Sequence, residues 1–405
     1  MRVHTIQYSA FVLVLCIAQS ALCGEEPRDV FQNGFARASA IAVPGRIKDV
    51  DVTCILDTGA STCALDTRFA ARLLKSLGTE PVGTASGLIT VQRYEQISQR
   101  MMDFPQRTGP AVALDLSGVS GATGMQIDAI LGMDYLKHLV FYVSNGIPGF
   151  ADRTEFRPNS NAKSYPLTTT RGCPYVGVEL PVLGDRQFLV DTGQASYCGI
   201  TKEYVSQLIR TNDAMILEEI LTLDASGVQK KNLYVIREIK VLGITMHDVP
   251  AEESDVNGIG LGLMRHLNVS MDFQNSVAYV LPPSRVRESF DLDASGLRTV
   301  LLAGQGLIAR RIVPHSPAEK NKIQAGDHLL NIDGRNASEL SAWEIRELLS
   351  QAGKTIPLKV KSGDRIRDIQ LPLSRNFEYP PKWKPRSTDA DDFYKSLQQE
   401  HPMSP

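Results

Sequence analysis

The sequence contains the same short phrase twice, and this repeat limits the folds open to the chain more than any other feature. Asp57-Thr58-Gly59 ends the apolar segment 55–56, and Asp191-Thr192-Gly193 ends the apolar segment 189–190. One such triplet after an apolar strand is common. Two of them, 134 residues apart in matching surroundings, predict two related lobes that bring their carboxylates to a shared axis.

The similarity between the two halves continues after the triplets. If Gln194 is treated as an insertion, residues 60–66 align with residues 195–201. An apolar stripe at helical spacing follows in each copy, and this stripe predicts a helix. In the first copy we expect Asp66 to cap the start of the helix and Gly78 to end it.

Two further landmarks occur in both halves and in the same order. Ala85-Ser86-Gly87 has a counterpart in Ala225-Ser226-Gly227, and residues 131–139 match residues 259–267. Each half also opens with two strand-like segments, of which the second leads directly to the aspartate. These landmarks together indicate an internal repeat of about 130 residues.

Length and composition are those of a globular protein. The chain has 405 residues, of which 43% are apolar and 22% are charged, and it has room for about two to four domains. A net charge of −2 predicts neither a nucleic-acid-binding surface nor a basic patch for membranes. We therefore expect no nucleic acid among its partners. A monomeric protein is also expected.

The N-terminus has the composition of a secretory signal peptide. Arg2 and His4 precede the apolar run 10–18, and small residues precede Gly24. This run is too short to span a bilayer, and no later stretch is long enough for a stable membrane span. We expect an exported protein, periplasmic or extracellular, after cleavage. A lipid anchor on Cys23 is the alternative.

Four cysteines lie beyond the signal: Cys54, Cys63, Cys173 and Cys198. In an oxidising compartment they can form up to two disulfides in three pairings, or remain buried thiols. Their neighbours show no metal-ligand spacing. We therefore expect no metal and no cofactor.

Polar and proline-containing stretches divide the chain. Residues 151–164 are a polar bridge, Pro282-Pro283 closes the second half, and a charged linker follows. The predicted organisation is a signal peptide at 1–23, an N-terminal lobe at 31–156, a C-terminal lobe at 165–284, a third module at 296–374 and a disordered tail at 375–405.

Two facing carboxyl groups define a specific chemistry. Such groups cannot both be ionised at short distance, so they share one proton and hold a water between them. One takes a proton from the water while the other protonates a carbonyl oxygen. Asp57 and Asp191 are therefore the candidate catalytic residues for hydrolysis of peptide bonds.

These motifs resemble the retropepsin-like aspartic proteases, with two lobes fused in one chain as in pepsin. The resemblance implies that the threonines bond across the two-fold axis and that an apolar residue followed by glycine crosses beneath each loop. The supporting residues are then Thr58, Gly59, Leu131, Gly132, Thr192, Gly193, Ile259 and Gly260. The implied activity is that of an endopeptidase that acts on polypeptides.

The segment 82–91 is similar to the glycine-rich hairpin that closes over substrate in retroviral enzymes. Its tip is Ala85-Ser86-Gly87, and Ala225-Ser226-Gly227 is the counterpart in the second half. Small residues at such a tip permit a tight turn and close approach to a peptide. An ordinary surface turn is the alternative in both places.

The third module resembles the PDZ domains appended to bacterial proteases, on the basis of the segments 306–308, 312–318 and 325–334. The resemblance implies that a peptide adds a strand to the sheet and that backbone amides hold its end. Gly296 and Leu297 are the candidate peptide-binding residues. The expected fold is thus mainly β: two retropepsin-like β lobes related by pseudo-two-fold symmetry, followed by a small α+β PDZ domain.

The residue after each triplet bears on the pKa of the aspartate pair and so on the pH range of activity. Pepsin-like enzymes have a serine or threonine there, whose hydroxyl stabilises the ionised dyad. Here the residues are Ala60 and Gln194. Loss of this donor predicts a higher dyad pKa and activity in the mildly acidic to neutral range.

Three functional hypotheses remain open at this point. The first is an exported endopeptidase whose PDZ module binds substrates or partner peptides. The second is a catalytically inactive peptide-binding or scaffold protein, since the changes at Gln194 and Gly258 lie in the second lobe. The third is a chain in which one lobe pairs with another copy, as in dimeric retropepsins.

Overall fold

The computed structural model describes residues 40–84, 87–123, 125–224, 227–281, 290, 293–302, 306–340 and 342–374. The predicted signal peptide (1–23) and the predicted disordered tail (375–405) lie outside these residues.

The first lobe is a seven-stranded sheet with order β1-β2-β7-β3-β6-β5-β4, and an extra pairing between β1 and β5 closes it. Its strands are β1 (Ala42–Ile47), β2 (Val50–Leu56), β3 (Cys63–Asp66), β4 (Ser76–Thr84), β5 (Gly87–Met101), β6 (Arg107–Leu114) and β7 (Ala129–Leu131). Its helices are α1 (Thr67–Leu73), α2 (Ser117–Thr123) and α3 (Met133–Leu136).

Helix α1 is shorter than expected. The Asp66 side chain caps it by accepting hydrogen bonds from the amides of Arg68 and Phe69, as the sequence predicts. The helix ends at Leu73, however, and Gly78 lies inside strand β4. The expected end at Gly78 is therefore wrong.

The second lobe repeats the first, strand for strand. Its elements are β11 (Cys173–Leu180), β12 (Gly184–Asp191), β13 (Cys198–Ile200), α4 (Lys202–Arg210), β14 (Ala214–Asp224), β15 (Gly227–Val241), β16 (Ile244–Glu253), β17 (Gly258–Gly260) and α5 (Leu261–Met264). The pairings β12–β17, β13–β17, β13–β16 and β14–β15 are the counterparts of β2–β7, β3–β7, β3–β6 and β4–β5. The duplication seen in the sequence is thus a duplication of topology.

Five strands join the two lobes: β8 (Leu139–Ser144), β9 (Ile147–Asp152), β10 (Lys163–Thr170), β18 (Asn268–Asp272) and β19 (Val277–Leu281). They run in the order β10-β19-β18-β8-β9, so β18 of one half pairs directly with β8 of the other. One continuous core fills both lobes and includes Phe141 and Met271 across this junction. Shared pairing and a shared core fix the two lobes relative to each other.

The third module has its own core. Its elements are β20 (Leu297–Leu302), β21 (Gly306–Ile312), α6 (Pro317–Lys320), β22 (His328–Ile332), β23 (Arg335–Asn336), α7 (Ala342–Leu349), β24 (Thr355–Ser362) and β25 (Arg365–Pro372). Alternate residues of β24 are buried, as expected for a strand with one face on a core. The expectation of a mainly β chain with a PDZ domain near the C-terminus is confirmed.

Candidate active site

Equivalent strands deliver the two aspartates to one place. Asp57 directly follows β2 and Asp191 ends β12, and each of these strands runs parallel to a short strand, β7 or β17. The amide of Asp57 donates to the carbonyl of Leu131 at 3.0 Å, so β7 supports the start of the first loop. Ile259 pairs with Val190 in the equivalent position of β17.

The threonines of the two triplets bond reciprocally across the axis. The amide of Thr58 donates to the Thr192 hydroxyl at 3.0 Å, and the amide of Thr192 donates to the Thr58 hydroxyl at 3.0 Å. Each hydroxyl then donates across the junction, to the carbonyl of Val190 at 2.6 Å or of Leu56 at 2.8 Å. Because both threonines are fully buried, these four bonds tie the two aspartate loops together in a dry environment.

Glycines after the threonines allow the two loops to approach closely. A Cβ placed on Gly59 would lie 2.6 Å from Cγ of Asp191, and one placed on Gly193 would lie 2.5 Å from Cγ of Asp57. No side chain fits at either position. The same two values show how closely each aspartate faces the opposite loop.

Backbone amides orient each carboxylate in the same way. Oδ1 of Asp57 accepts from the amides of Gly59 at 2.7 Å and Ala60 at 3.2 Å. Oδ1 of Asp191 accepts from the amides of Gly193 at 2.9 Å and Gln194 at 3.0 Å. One oxygen of each carboxylate is therefore held by the loop, which leaves Oδ2 for chemistry.

Burial shifts the pKa of both aspartates upward. For Asp57, loss of hydration raises the pKa, against hydrogen bonds from Asp191 and from nearby amides that lower it. For Asp191, loss of hydration raises the pKa well above its usual value, and the negative charge of Asp57 raises it further. One proton shared by the pair is the state that these opposing effects favour.

The glycines beneath the loops are also required by packing. A Cβ on Gly132 would lie 2.6 Å from the carbonyl oxygen of Thr62, and one on Gly260 would lie 2.2 Å from that of Ser196. Each aspartate loop thus packs directly against the backbone that crosses below it. The structure places all eight supporting residues predicted from the sequence around the two aspartates.

The extra residue of the second loop is Ala195 rather than Gln194, which corrects the alignment made from the sequence. The amide of Gln194 bonds to Asp191 as the amide of Ala60 does to Asp57. The carbonyl of Gln194 accepts from Leu261, as that of Ala60 accepts from Met133. The loop keeps the residue that orients the carboxylate and bulges one position later.

The Gln194 side chain fills space that lobe 1 fills with an aliphatic residue. Its Oε1 lies 3.2 Å from a Cβ built on Gly258, and its Nε2 lies 3.4 Å from one built on Gly199. Gly258 occupies the position of Ile130 in the repeat, by the equivalent pairings of β17 and β7. The two departures from the repeat in lobe 2 therefore compensate each other.

Sequence reasoning missed a polar group behind the second aspartate. Gln194 Nε2 donates to the Ser196 hydroxyl at 2.7 Å, and Ser196 is in turn hydrogen-bonded to Glu252 on β16. Loss of hydration raises the pKa of Glu252, whereas Arg346 of α7 lowers it. Nothing in the linear sequence links residues so far apart, so only the fold could identify this group.

Cys173 lies at the dyad, which the sequence also did not indicate. Its thiol donates to the carbonyl of Gly59 at 3.3 Å, and burial raises its pKa to about 12. All four cysteines of the described chain are buried free thiols: Cys54, Cys63, Cys173 and Cys198. The disulfide alternative is therefore wrong for this fold.

Two long hairpins stand where the sequence predicts the flaps. β4–β5 ends at the pair Thr84–Gly87 and β14–β15 at the pair Asp224–Gly227. Gly87 and Gly227 are the first residues of their return strands. Ala85, Ser86, Ala225 and Ser226 lie outside the described residues, so their part in substrate binding stays a prediction.

The PDZ module contacts the second lobe at the flap hairpin and beside the aspartate loop. Arg298 of β20 donates from Nε to Glu218 of β14 at 2.8 Å, and both side chains are largely buried. The guanidinium of Arg346 on α7 lies 5.3 Å from the centre of the Tyr197 ring, just after the catalytic loop. The module therefore reaches both the flap hairpin and the aspartate loop of this lobe.

No metal-binding cluster of three or more His, Cys, Asp or Glu occurs among the residues that the structure describes. Within the same residues, no helix is long and apolar enough to cross a membrane.

Comparison with known proteins gives matches to two family models, each over part of the chain. The comparison with curated proteins gave no match. Among solved structures, the chain is similar to the photosystem II D1 C-terminal processing protease at 25% identity, over 20% of this chain and 23% of that chain. The TM-score of 0.19 is too low to relate the two folds. Residues 43–135 match the family model of aspartyl proteases and residues 290–361 match that of PDZ domains, and each match covers less than half of the chain.

Proposed function

We propose that the chain is an exported aspartic endopeptidase that hydrolyses polypeptides with a water activated by Asp57 and Asp191. The observation that carries this proposal is the reciprocal bonding of Thr58 and Thr192, which holds the two aspartates face to face. A protein that only binds peptides, without cutting them, has no need of two oriented, buried carboxylates. The match of residues 43–135 to aspartyl proteases supports the same conclusion.

The chemistry follows from the shared proton. The ionised member of the dyad removes a proton from the water, and the resulting oxygen attacks the scissile carbonyl carbon. The protonated member gives its proton to the carbonyl oxygen, so no free oxyanion forms. In the second step one member of the dyad gives its proton to the leaving nitrogen while the other takes a proton from a hydroxyl of the tetrahedral intermediate, so that the C–N bond breaks and the carbonyl re-forms with one proton again on the dyad. The loop amides keep each Oδ1 fixed throughout.

A direct test is cleavage of reduced, carboxymethylated lactalbumin, which is unfolded and offers many sites. We expect the wild type to cut it between pH 4 and 7. We expect Asp57→Asn and Asp191→Asn each to lower the rate by about 10³-fold or more. Asp49→Asn, in the exposed turn between β1 and β2, is the matched control and should cut like the wild type.

The outcome also separates the alternatives. A wild type that cuts nothing, or an Asn variant at either catalytic position that cuts normally, contradicts the endopeptidase and favours the scaffold protein. A specific activity that falls on dilution would indicate pairing of lobes between two copies. Activity proportional to concentration fits the two fused lobes of one chain.

A further inference from the structure

The loop that leads into β20 is where a PDZ domain is expected to hold the end of a peptide. Among the described strands, β20 pairs only with β21, so no described strand occupies the other edge, to which a peptide can add. The amides of Ser295, Gly296 and Leu297 line the start of this edge. They are the donors that would have to bind a C-terminal carboxylate.

All three amides are already bonded within the chain. Ser295 and Gly296 donate to the two carboxylate oxygens of Asp293, at 3.0 and 2.8 Å. Leu297 donates to the Ser295 hydroxyl at 2.9 Å. The Asp293 carboxylate thus takes the donors that a peptide terminus needs.

The Asp293 carboxylate is paired with a positively charged side chain of the same module. Arg298 Nη1 donates to Asp293 Oδ2 at 2.7 Å, and the same guanidinium binds Glu218 of the flap hairpin. The exposed fractions of the three side chains are 17%, 24% and 10% for Asp293, Arg298 and Glu218. The positive charge nearest to the loop is therefore already paired with two carboxylates and shielded from water.

The loop itself has little room to rearrange. Gly296 has a φ of +75°, and a Cβ on it would lie 2.1 Å from Cβ of Ser316. Its carbonyl accepts from Val313 at 2.9 Å, and that of Ser295 accepts from Ala318 at 2.9 Å. Rotating these peptide units to free the amides would break bonds on both sides of the loop.

We propose that the PDZ groove binds internal segments of extended polypeptides and does not select free C-termini. The Asp293 side chain lies two and three residues before the amides that it binds. Its effective concentration at these amides is therefore much higher than that of the free peptide carboxylate that would have to displace it. A peptide strand that adds to the unpaired edge of β20 needs only the backbone groups of an extended chain. This inference rests on the proposed function, because it specifies which part of a substrate the module takes.

The surroundings of the groove suit a chain that continues past it. β20 lies beside α2 of the first lobe, and Arg298 at its start contacts β14 of the second flap hairpin. A segment on β20 that ran on past Arg298 would approach β14 of the second flap hairpin. A ligand that had to end at residues 295–297 could not do so.

The test uses the full chain with Asp57→Asn, so that peptides are bound without being cut. The probes are overlapping 15-residue peptides of lactalbumin with an N-terminal fluorophore, each made as the free acid and as the C-terminal amide. Affinity is measured by fluorescence anisotropy. Hydrogen exchange of residues 297–302 identifies the peptides that bind at β20, and only these are compared.

We expect acid and amide to differ by less than about fivefold in Kd. An acid that binds fivefold or more tightly than its amide overturns the proposal, as does the absence of any peptide that protects 297–302. In Asp293→Ala the amides become free, and the acids should gain about tenfold over the amides. Asp293→Asn keeps the shape, so it serves as a second variant with a smaller gain if the alanine variant is unstable.

An unchanged ratio of acid to amide affinity in both Asp293 variants would show that this carboxylate does not exclude the peptide terminus. Because binding and exchange are measured on a variant that cannot cut, they do not depend on the proposed activity. Failure of the wild type to cleave lactalbumin would thus contradict the endopeptidase while leaving the groove specificity standing.

Discussion

Thr58 and Thr192 each donate an amide hydrogen to the hydroxyl of the other, at 3.0 Å in both directions. Each hydroxyl in turn donates a hydrogen bond to a backbone carbonyl of the other lobe. Four bonds made by these two fully buried residues, two of them between the threonines, therefore join the lobes at the point where the chemistry is proposed. Loss of one hydroxyl affects both loops at once.

Thr192→Val should show this directly, because valine keeps the shape and removes the hydroxyl. The amide of Thr58 and the carbonyl of Leu56 lose their partner in a buried site, at a cost of about 1–3 kcal/mol for each unsatisfied group. We expect a fall of about 2–5 kcal/mol in the free energy of unfolding, measured with urea. Thr192→Ser keeps the hydroxyl and is the matched control. Equal stability of the Val and Ser variants would contradict the role of the bonds.

The dyad should destabilise the protein at neutral pH. A carboxyl group whose pKa is raised on folding binds protons more strongly when folded, so stability falls as pH rises from its usual value of 3.8 through the raised value. Asp191→Asn removes this penalty and can keep the amide bonds through its Oδ1. We expect the variant to be more stable than the wild type at pH 7, with a difference that shrinks toward pH 4. A difference independent of pH would contradict the raised pKa of Asp191.

The duplicated topology was predictable because both halves repeat the same sequence landmarks in one order. The two strands that end at Asp57 and Asp191, and the apolar-glycine segments below them, are local patterns that the sequence carries explicitly. The sequence also indicated the cap of α1 at Asp66. It did not indicate the end of that helix, since Leu77 continues the apolar spacing but lies 53% exposed on β4.

The remaining features depend on contacts between distant residues. The position of the extra residue in the second loop is decided by which amide reaches Asp191, and the alignment alone could not choose between Gln194 and Ala195. Glu252 and Cys173 reach the site from β16 and β11. The pairing of Arg298 with Glu218 joins the PDZ module to the second lobe through residues that lie 80 positions apart in the sequence. None of these contacts leaves a periodic pattern in the sequence.

Substitutions at Gln194 and Gly258 should have coupled effects on the free energy of unfolding, because the Gln194 side chain occupies the space next to Gly258. Gly258→Ile introduces the residue of the first lobe, and it meets Gln194 Oε1 at 3.2 Å already at Cβ. We expect it to cost about 1–3 kcal/mol in the wild type. In a Gln194→Ala background the space is free, so the cost should fall by at least about 1 kcal/mol. A double-mutant cycle from urea unfolding measures this, and additive effects would contradict the exchange of volumes.

Arg346 should help to position the second catalytic loop from the PDZ module. Its guanidinium lies over the Tyr197 ring, and its charge lowers the pKa of Glu252, which holds Ser196 and through it Gln194. Without this charge, burial drives Glu252 toward the protonated form, which is a weaker hydrogen-bond acceptor for Ser196. The loop that orients Asp191 should then be held less tightly.

We therefore expect Arg346→Ala to lower kcat by about tenfold on a short peptide substrate while KM changes little, because the loss concerns the transition state. Arg346→Lys retains the charge and should recover most of the rate, with the largest gain over Arg346→Ala at lower pH, where Glu252 needs the positive charge to stay ionised. Lys359→Ala, on an exposed pair of β24 and β25, is the control within the same module. If Arg346→Ala changed KM alone, or if Lys359→Ala had an equal effect on kcat, the contact would serve docking of the module and not the geometry of the dyad.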